Sequence, residues 1–280
     1  MGRFVTTTLF LLGFLSSAVE AETVKVAPLS QAPVVDGLGD DWKEVPEITI
    51  PLRPISAETA VEAKEVRLKA GYFADTVYFY LKWSDSEENR LHKPYVWDKQ
   101  KKRYVRGPQR EDRLSMQFVM EGEYTTDWPS ADHFKADMWH WKSARTAPLN
   151  IAHDKMTIVS NKPLLRAAQL ERPDGGVTYV LRPSDGGTQP YTTKRYRNLL
   201  QPVMPKYQLN PKVSGSVADV KAKERWVNGF WHLELARKLD TGNGDDVKFR
   251  VGESTLGGIA IFDASEPDDH AISGTLNFHF

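Results

Sequence analysis

The residue pattern predicts an all-β chain folded as a single β-sandwich, with long loop insertions and at most short helices. Three observations predict it. Apolar and polar residues alternate with period two in one segment after another, sustained 3.6-residue periodicity is nearly absent, and turn residues divide the alternation into about eight to ten strands. No strand–helix–strand units are visible, which disfavours a parallel sheet.

The first element lies outside the sandwich. Met1-Gly2-Arg3 opens a run that is apolar from Phe4 to Val19 apart from threonines, serines and Gly13, and Ala18-Val19-Glu20-Ala21 closes it. A basic start, an apolar middle and a small-x-small end make residues 1–21 a cleaved secretory signal peptide. The run is too short and too rich in threonine for a membrane span, which needs roughly 20 apolar residues. Residues 22–280 are then one exported, periplasmic domain with no membrane span.

Within that domain, Val34-Val35-Asp36-Gly37 ends a strand in a turn, and Trp42 can fold back as a plug over one end of the sandwich. From Thr76 to Trp83, the residues Val77, Phe79, Leu81 and Trp83 share one face, and Tyr78, Tyr80 and Lys82 share the other. Leu114, Met116 and Phe118 alternate likewise, as do Val247, Phe249 and Val251, and each set reads as a strand. Asn228-Gly229 supplies the positive φ angles of a tight turn, so Ala222 to Ala236 reads as a hairpin. Gly258 to Phe262 and Ser273 to Phe280 give two closing strands separated by the acidic loop Asp263 to Asp269. Two stretches break the rhythm. Glu87 to Arg113, with Lys99-Gln100-Lys101-Lys102-Arg103 in its middle, reads as an exposed loop. The proline- and glycine-rich stretch at about 162–212 reads as a long insertion, with a short helix near Thr193 to Gln201.

Composition narrows the chemistry. The chain has 37 basic and 37 acidic residues; removing the signal takes away Arg3 and Glu20 and leaves the balance intact, so nothing draws it to nucleic acid. With 8 Trp, 10 Tyr and 12 Phe, it can bury a core without staples. It has no cysteine, which excludes disulfides, thiolate metal sites and covalently attached haem. Any cofactor must be held by His, Met, Lys, carboxylates or shape. There is no Gly-x-Ser-x-Gly, no phosphate-binding glycine loop and no His-Glu-x-x-His. Asp245-Asp246 and Asp268-Asp269 could bind calcium at a sandwich edge, although loop carboxylates without a full oxygen cage rarely do so tightly.

The segments Val34 to Trp42 and Ala70 to Asp85 together resemble the superfamily of family 9 carbohydrate-binding modules and the related DOMON-like haem-binding domains, which have immunoglobulin-like layers. In those proteins an Asp-Gly opening followed by Trp precedes a strand that ends in Trp-x-Asp, here Trp83-Ser84-Asp85. Asp112-Arg113-Leu114-Ser115-Met116-Gln117-Phe118 and Asp137-Met138-Trp139-His140-Trp141-Lys142-Ser143-Ala144-Arg145 narrow this further. They resemble the haem-b subunit of ethylbenzene dehydrogenase and its relatives among the type II dimethyl-sulfoxide-reductase-like enzymes. Gly229 to Arg237, Asp245 to Val247 and Gly258 to Asp263 fit the same family. The resemblance covers about residues 24–160 and 213–280 and omits the insertion.

That resemblance implies one non-covalent haem b per chain, held between a methionine from the middle of the sandwich and a histidine or lysine near the C-terminus. Two strong axial ligands suit electron transfer, because no coordination position stays open. The metal ligands it implies are Met138 and His270; no lysine follows Lys248, so the lysine option has no match. His140 lies on the same strand face as Met138 and is the alternative ligand, with Met116 behind it. Lys142 and Arg145 are the cations implied for the propionates. The partner implied is a redox protein, either a molybdenum and iron–sulfur oxidoreductase or a c-type cytochrome, with the chain itself an electron carrier rather than an enzyme. The rival reading is a non-redox carbohydrate-binding module of family 9 type, presenting Trp and Tyr to a sugar. A third is an exported scaffold or assembly factor that has lost its cofactor.

Overall fold

A computed structural model describes residues 21–56, 59, 61–264 and 269–280. The signal peptide expected at residues 1–21 therefore falls almost wholly outside the described residues.

The alternating segments form strands, and the first of these are β1 (Glu22–Lys25), β2 (Ala27–Pro28), β3 (Ile48–Pro54), β4 (Glu65–Phe73) and β5 (Thr76–Ser84). The charge-dense stretch carries β6 (Tyr95–Asp98) and β7 (Arg103–Arg106) and leads into β8 (Arg113–Gly122), β9 (His133–Lys142) and β10 (His153–Ser160). The insertion holds β11 (Ala168–Glu171), β12 (Val177–Leu181), β13 (Tyr191–Thr193), β14 (Val203–Met204) and β15 (Tyr207–Leu209). The chain ends in β16 (Lys221–Val227), β17 (Phe230–Lys238), β18 (Ser254–Phe262), β19 (Ala271–Ser273) and β20 (Leu276–His279). Helix among the described residues is limited to short 3-10 turns.

Two layers result. The front layer runs β11-β12-β10-β9-β8-β18, with β20 joining β18 to β1; the back layer runs β3-β4-β5-β17-β16. Strand β19 pairs with both β18 and β3 and so joins the layers along one side. Period-two alternation turns Trp139, Trp141, Met116 and Phe118 of the front layer against Phe79, Leu81, Trp83 and Trp231 of the back layer. Ring contacts bridge the layers: Phe79 lies 5.7 Å from both Phe118 and Trp139, and Trp141 lies 5.0 Å from Trp231. Asn228 and Gly229 both have positive φ, 51° and 78°, and turn β16 into β17 as their sequence predicts.

Five expectations change. Val34-Val35 lies in no strand, since β2 ends at Pro28 and β3 begins at Ile48. Glu87 to Arg113 is not all loop, because β6 and β7 pair as a hairpin to which the insertion adds β14. The stretch from Thr193 to Gln201 is not helical: the backbone N–H of Lys194 donates to Lys206, and Tyr196 leaves the chain to pack on Tyr95 and Tyr104. Val247 to Val251 is not a strand. Val247 and Phe249 fill the core, but the backbone N–H groups of these two residues go to the Asp137 side chain and the Leu239 carbonyl instead of a ladder, and Val251 is left exposed. Trp42 plugs the outer face of the back layer rather than an end. It stacks on Tyr80 and donates its indole N–H to Glu234 at 3.0 Å.

Candidate functional site

The outer face of the front layer carries the residues that the sequence singles out. Because Trp139 and Trp141 point into the core, Met138, His140 and Lys142 point the other way. Strand register places their neighbours. Lys155, Met138, Gln117 and Gly258 form one row across β10, β9, β8 and β18. His153, His140, Ser115 and Ala260 form the next, extended by Ile272 on β19. Lys142, Arg113 and Phe262 form a third. Ala260, Phe262 and Ile272 make an apolar cluster separate from the main core.

Met138 is buried and its sulfur faces a polar neighbour. Gln117 donates to Thr157 Oγ1 at 3.0 Å, the Thr157 hydroxyl lies 3.7 Å from Met138 Sδ, and the Tyr124 hydroxyl donates to Gln117 at 3.3 Å. Gly258 is required here: a Cβ at that position would come within 2.6 Å of Thr126 Cγ2 and 2.8 Å of the Tyr124 hydroxyl.

His140 differs. It is 8% exposed, and its Nε2 has no hydrogen-bond partner among the described residues. Burial, followed by the nearby Lys142, holds its imidazole well below the usual pKa, so the ring is neutral and has a lone pair available. Its ring stacks on Phe262 at 5.8 Å, and the same Phe262 lies 4.6 Å from the ring of His270. The loop before β19 is anchored where the His270 carbonyl accepts the Ile55 N–H at 3.0 Å. The fold thus brings His140 and His270, 130 positions apart in sequence, onto one shared phenyl ring.

The two cations expected at the propionates are engaged internally. Lys142 is buried; its Nζ donates to His153 Nδ1 at 2.8 Å and to the Tyr191 hydroxyl at 3.2 Å, and burial followed by the Arg145 charge holds its pKa well below the ordinary lysine value. Arg145 forms a close ion pair with buried Glu111 and lies 5.1 Å from the rings of both Tyr191 and Tyr207. His153 in turn bonds Ser184 Oγ at 2.8 Å through Nε2.

Several of these partners were not among the sequence candidates. The insertion supplies Tyr191, Tyr207 and Ser184, and its role as the cover over this end of β9 has no local signal. His153 has no neighbour at ligand spacing in the sequence; its partners come from across the sheet and from the insertion. Among the other histidines, His232 is half-buried, its Nδ1 2.6 Å from the Tyr80 hydroxyl, and Met116 belongs to the core.

A buried, neutral imidazole with a bare nitrogen, a buried thioether two residues away and a second imidazole beside the same phenyl ring form a donor set that suits a metal-centred, non-covalent cofactor. The family model for ethylbenzene dehydrogenase matches residues 39–271. The chain belongs to the ethylbenzene dehydrogenase family. The family match extends from the Asp40–Trp42 turn through β8 and β9 to Ala271, just past His270, and it includes the insertion that the sequence resemblance left out.

No curated protein matches the chain. Among solved structures, a candidate carbohydrate-binding protein from Bacteroides uniformis is similar at 9% identity and a TM-score of 0.45, covering 92% of this chain and 100% of that one. A family 9 carbohydrate-binding module from Caldicellulosiruptor kristjanssonii in complex with glucose is similar at 10% identity and a TM-score of 0.40, covering 91% of this chain and 85% of that one. The same module in complex with cellotriose gives the same identity and TM-score, with 84% of that chain covered.

Proposed function

We propose that this chain is a periplasmic b-type haem-binding electron-transfer protein or subunit. It exchanges electrons with a respiratory oxidoreductase, of the molybdenum and iron–sulfur kind or through a c-type cytochrome, and is not itself catalytic. The observation that carries this reading is the buried His140 Nε2, which has no hydrogen-bond partner among the described residues, on a ring that shares Phe262 with His270. Leaving a buried polar atom unpaired costs roughly 1–3 kcal/mol, and coordination to a metal would relieve that cost.

His270 and a donor on β9 would hold the haem iron. On β9, His140 comes before Met138, because the Met138 sulfur already faces the Thr157 hydroxyl. Ala260, Phe262 and Ile272 give the macrocycle an apolar surface. The bound haem supplies one-electron chemistry; this chain's residues bind it, set its axial field and shield it from water. Export without cysteine fits a haem held by ligands and packing alone. A sugar-binding role would need aromatic faces open to solvent; five of the eight tryptophans, Trp42, Trp83, Trp139, Trp141 and Trp231, are buried, and Trp97, Trp128 and Trp226 are half-buried.

The test is a spectrum. The mature chain, expressed with adequate haem, should show a Soret band and sharp bands on dithionite reduction. A chain that shows none, and takes up no haem on titration, would end the proposal. His140→Ala and His270→Ala should each change the low-spin bands and loosen the haem. If Met138→Ala does so and His140→Ala does not, the methionine is the ligand on β9.

A further inference from the structure

From a second cluster we infer that this chain binds one hard divalent cation, calcium by its chemistry, between Asp137, Asp154, Asp185 and Asp246 at the Arg237 end of the sandwich. The cluster lies between the layers. Asp137 on β9 and Arg237 on β17 point into the core space, Asp154 stands on β10 opposite Trp139, and Asp246 comes from the segment that leads to Val247. Oxygens of Asp137, Asp154 and Asp246 lie within 4.8 Å of one another. Calcium–oxygen bonds of about 2.3–2.6 Å put the oxygens of one coordination sphere at up to about that spacing.

In three of these carboxylates, one oxygen is hydrogen-bonded and the other accepts no hydrogen bond among the described residues, although Arg237 Nη1 approaches two of these, Asp154 Oδ2 and Asp246 Oδ1, as an ion pair. Asp137 Oδ2 accepts from Arg237 and from the Val247 N–H at 3.0 Å, leaving Oδ1. Asp154 Oδ1 accepts the Lys155 N–H at 3.1 Å, leaving Oδ2. Asp246 Oδ2 accepts from the Thr241 hydroxyl at 2.5 Å and Asn243 Nδ2 at 3.3 Å, leaving Oδ1. Asp185, whose N–H donates to the Asp154 carbonyl at 3.3 Å, adds a fourth carboxylate, whose side chain neighbours that of Asp154. All four residues are at most 5% exposed. Buried carboxylate oxygens are normally satisfied; among the described residues Asp137 Oδ1, Asp154 Oδ2 and Asp246 Oδ1 accept no hydrogen bond, only two of them are approached by a guanidinium, and such a group calls for a cation.

Arg237 does not supply enough charge. Its Nη1 pairs with Asp137 and stands 3.8 Å from Asp154 and 3.6 Å from Asp246; its Nη2 donates to the Val247 carbonyl at 2.6 Å, and its plane rests 4.8 Å from the Trp139 ring. One guanidinium faces three of the four carboxylates. Lys155 is turned away, its Nζ donating to the Arg182 carbonyl at 2.7 Å. In the absence of a cation, burial and then the charge of Asp137 push the Asp154 carboxyl well above its usual range and Asp185 up to about 8. A hard divalent ion with oxygen ligands leaves one net negative charge and takes its remaining positions from carbonyls or water.

The mature chain, stripped with EDTA and passed over chelating resin, would be titrated with CaCl2 by calorimetry and melted with and without calcium. One-site binding and a rise in melting temperature are expected, because a ligand that binds only the folded state stabilises it. Asp154→Asn and Asp185→Asn should each weaken calcium binding by at least about tenfold and reduce the rise. Asp185 is peripheral to the Arg237 pair, so its variant keeps the fold if the Asp154 variant does not. No calcium heat and no melting shift in the wild-type chain would overturn the inference. So would full binding by both variants, or a melting temperature that responds to pH alone, which would assign protons to the cluster.

Discussion

Glu234 accepts the Trp42 indole N–H at 3.0 Å, and the same carboxylate collects the backbone N–H groups of Asp36, Gly37 and Gly39 at 2.7, 2.8 and 3.2 Å. The Asp-Gly opening and the tryptophan after it are therefore held to the back layer by one buried acid almost 200 residues away. Glu234→Ala would leave these donors unpaired, at a cost of about 1–3 kcal/mol for the buried donors. A urea unfolding curve should show a loss of about 3 kcal/mol, with Glu234→Gln falling between it and the wild type.

Trp231 Nε1 donates to Asp85 Oδ2 at 3.1 Å and to Asp112 Oδ2 at 3.2 Å, which brings two carboxyl groups together. Burial first, and then neighbouring carboxylates, push Asp85 up to about 7 and Asp112 up to about 8. The folded chain therefore holds protons that the unfolded chain has released between the ordinary aspartate pKa and about 8, so stability falls as pH rises through this window. Melting in the presence of chelator should show the midpoint dropping from about pH 5 to about pH 8, with a shallower slope for Asp112→Asn.

Gly229 has φ of 78°, and a Cβ there would meet nothing closer than the Asp85 carbonyl at 3.8 Å. The cost of Gly229→Ala is thus backbone strain alone, about 1 kcal/mol. A loss of several kcal/mol by chemical denaturation would mean that the turn is packed rather than merely twisted.

Phe249 is buried against Phe118 at 4.9 Å and Phe280 at 4.6 Å, whereas Val251, two positions on, is 56% exposed. Phe249→Ala should cost roughly 3–5 kcal/mol, and Val251→Ala less than about 0.5 kcal/mol. Equal costs would restore the strand that the alternation suggests.

Much of the fold was legible because faces alternate along a strand whatever lies around it. The pattern Met138-Trp139-His140-Trp141-Lys142 states that the methionine, histidine and lysine share a side, and the structure agrees. The same rule misread Val247 to Val251, where alternation is present but no neighbouring strand offers a ladder. It also missed β6 and β7, whose short hairpin is buried only in part and is rich in charge. Of the site, Met138, His140 and His270 could be named from sequence, but His153, Tyr191 and Tyr207 could not, because each reaches its partner across the sheet or from the insertion.

By itself, the sequence determined the two-sided character of each strand, the Asn228-Gly229 turn, the absence of any thiol chemistry and the family motifs; these depend on residues within a few positions of one another. Only the tertiary structure decided which side of each strand is inside, that Phe262 lies between the neighbourhoods of His140 and His270, and that Arg237 faces a group of buried aspartates. These depend on strand order and register, which bring together residues as distant as Asp137 and Arg237 or His140 and Phe262, and pairing at that range leaves no periodic trace in the chain.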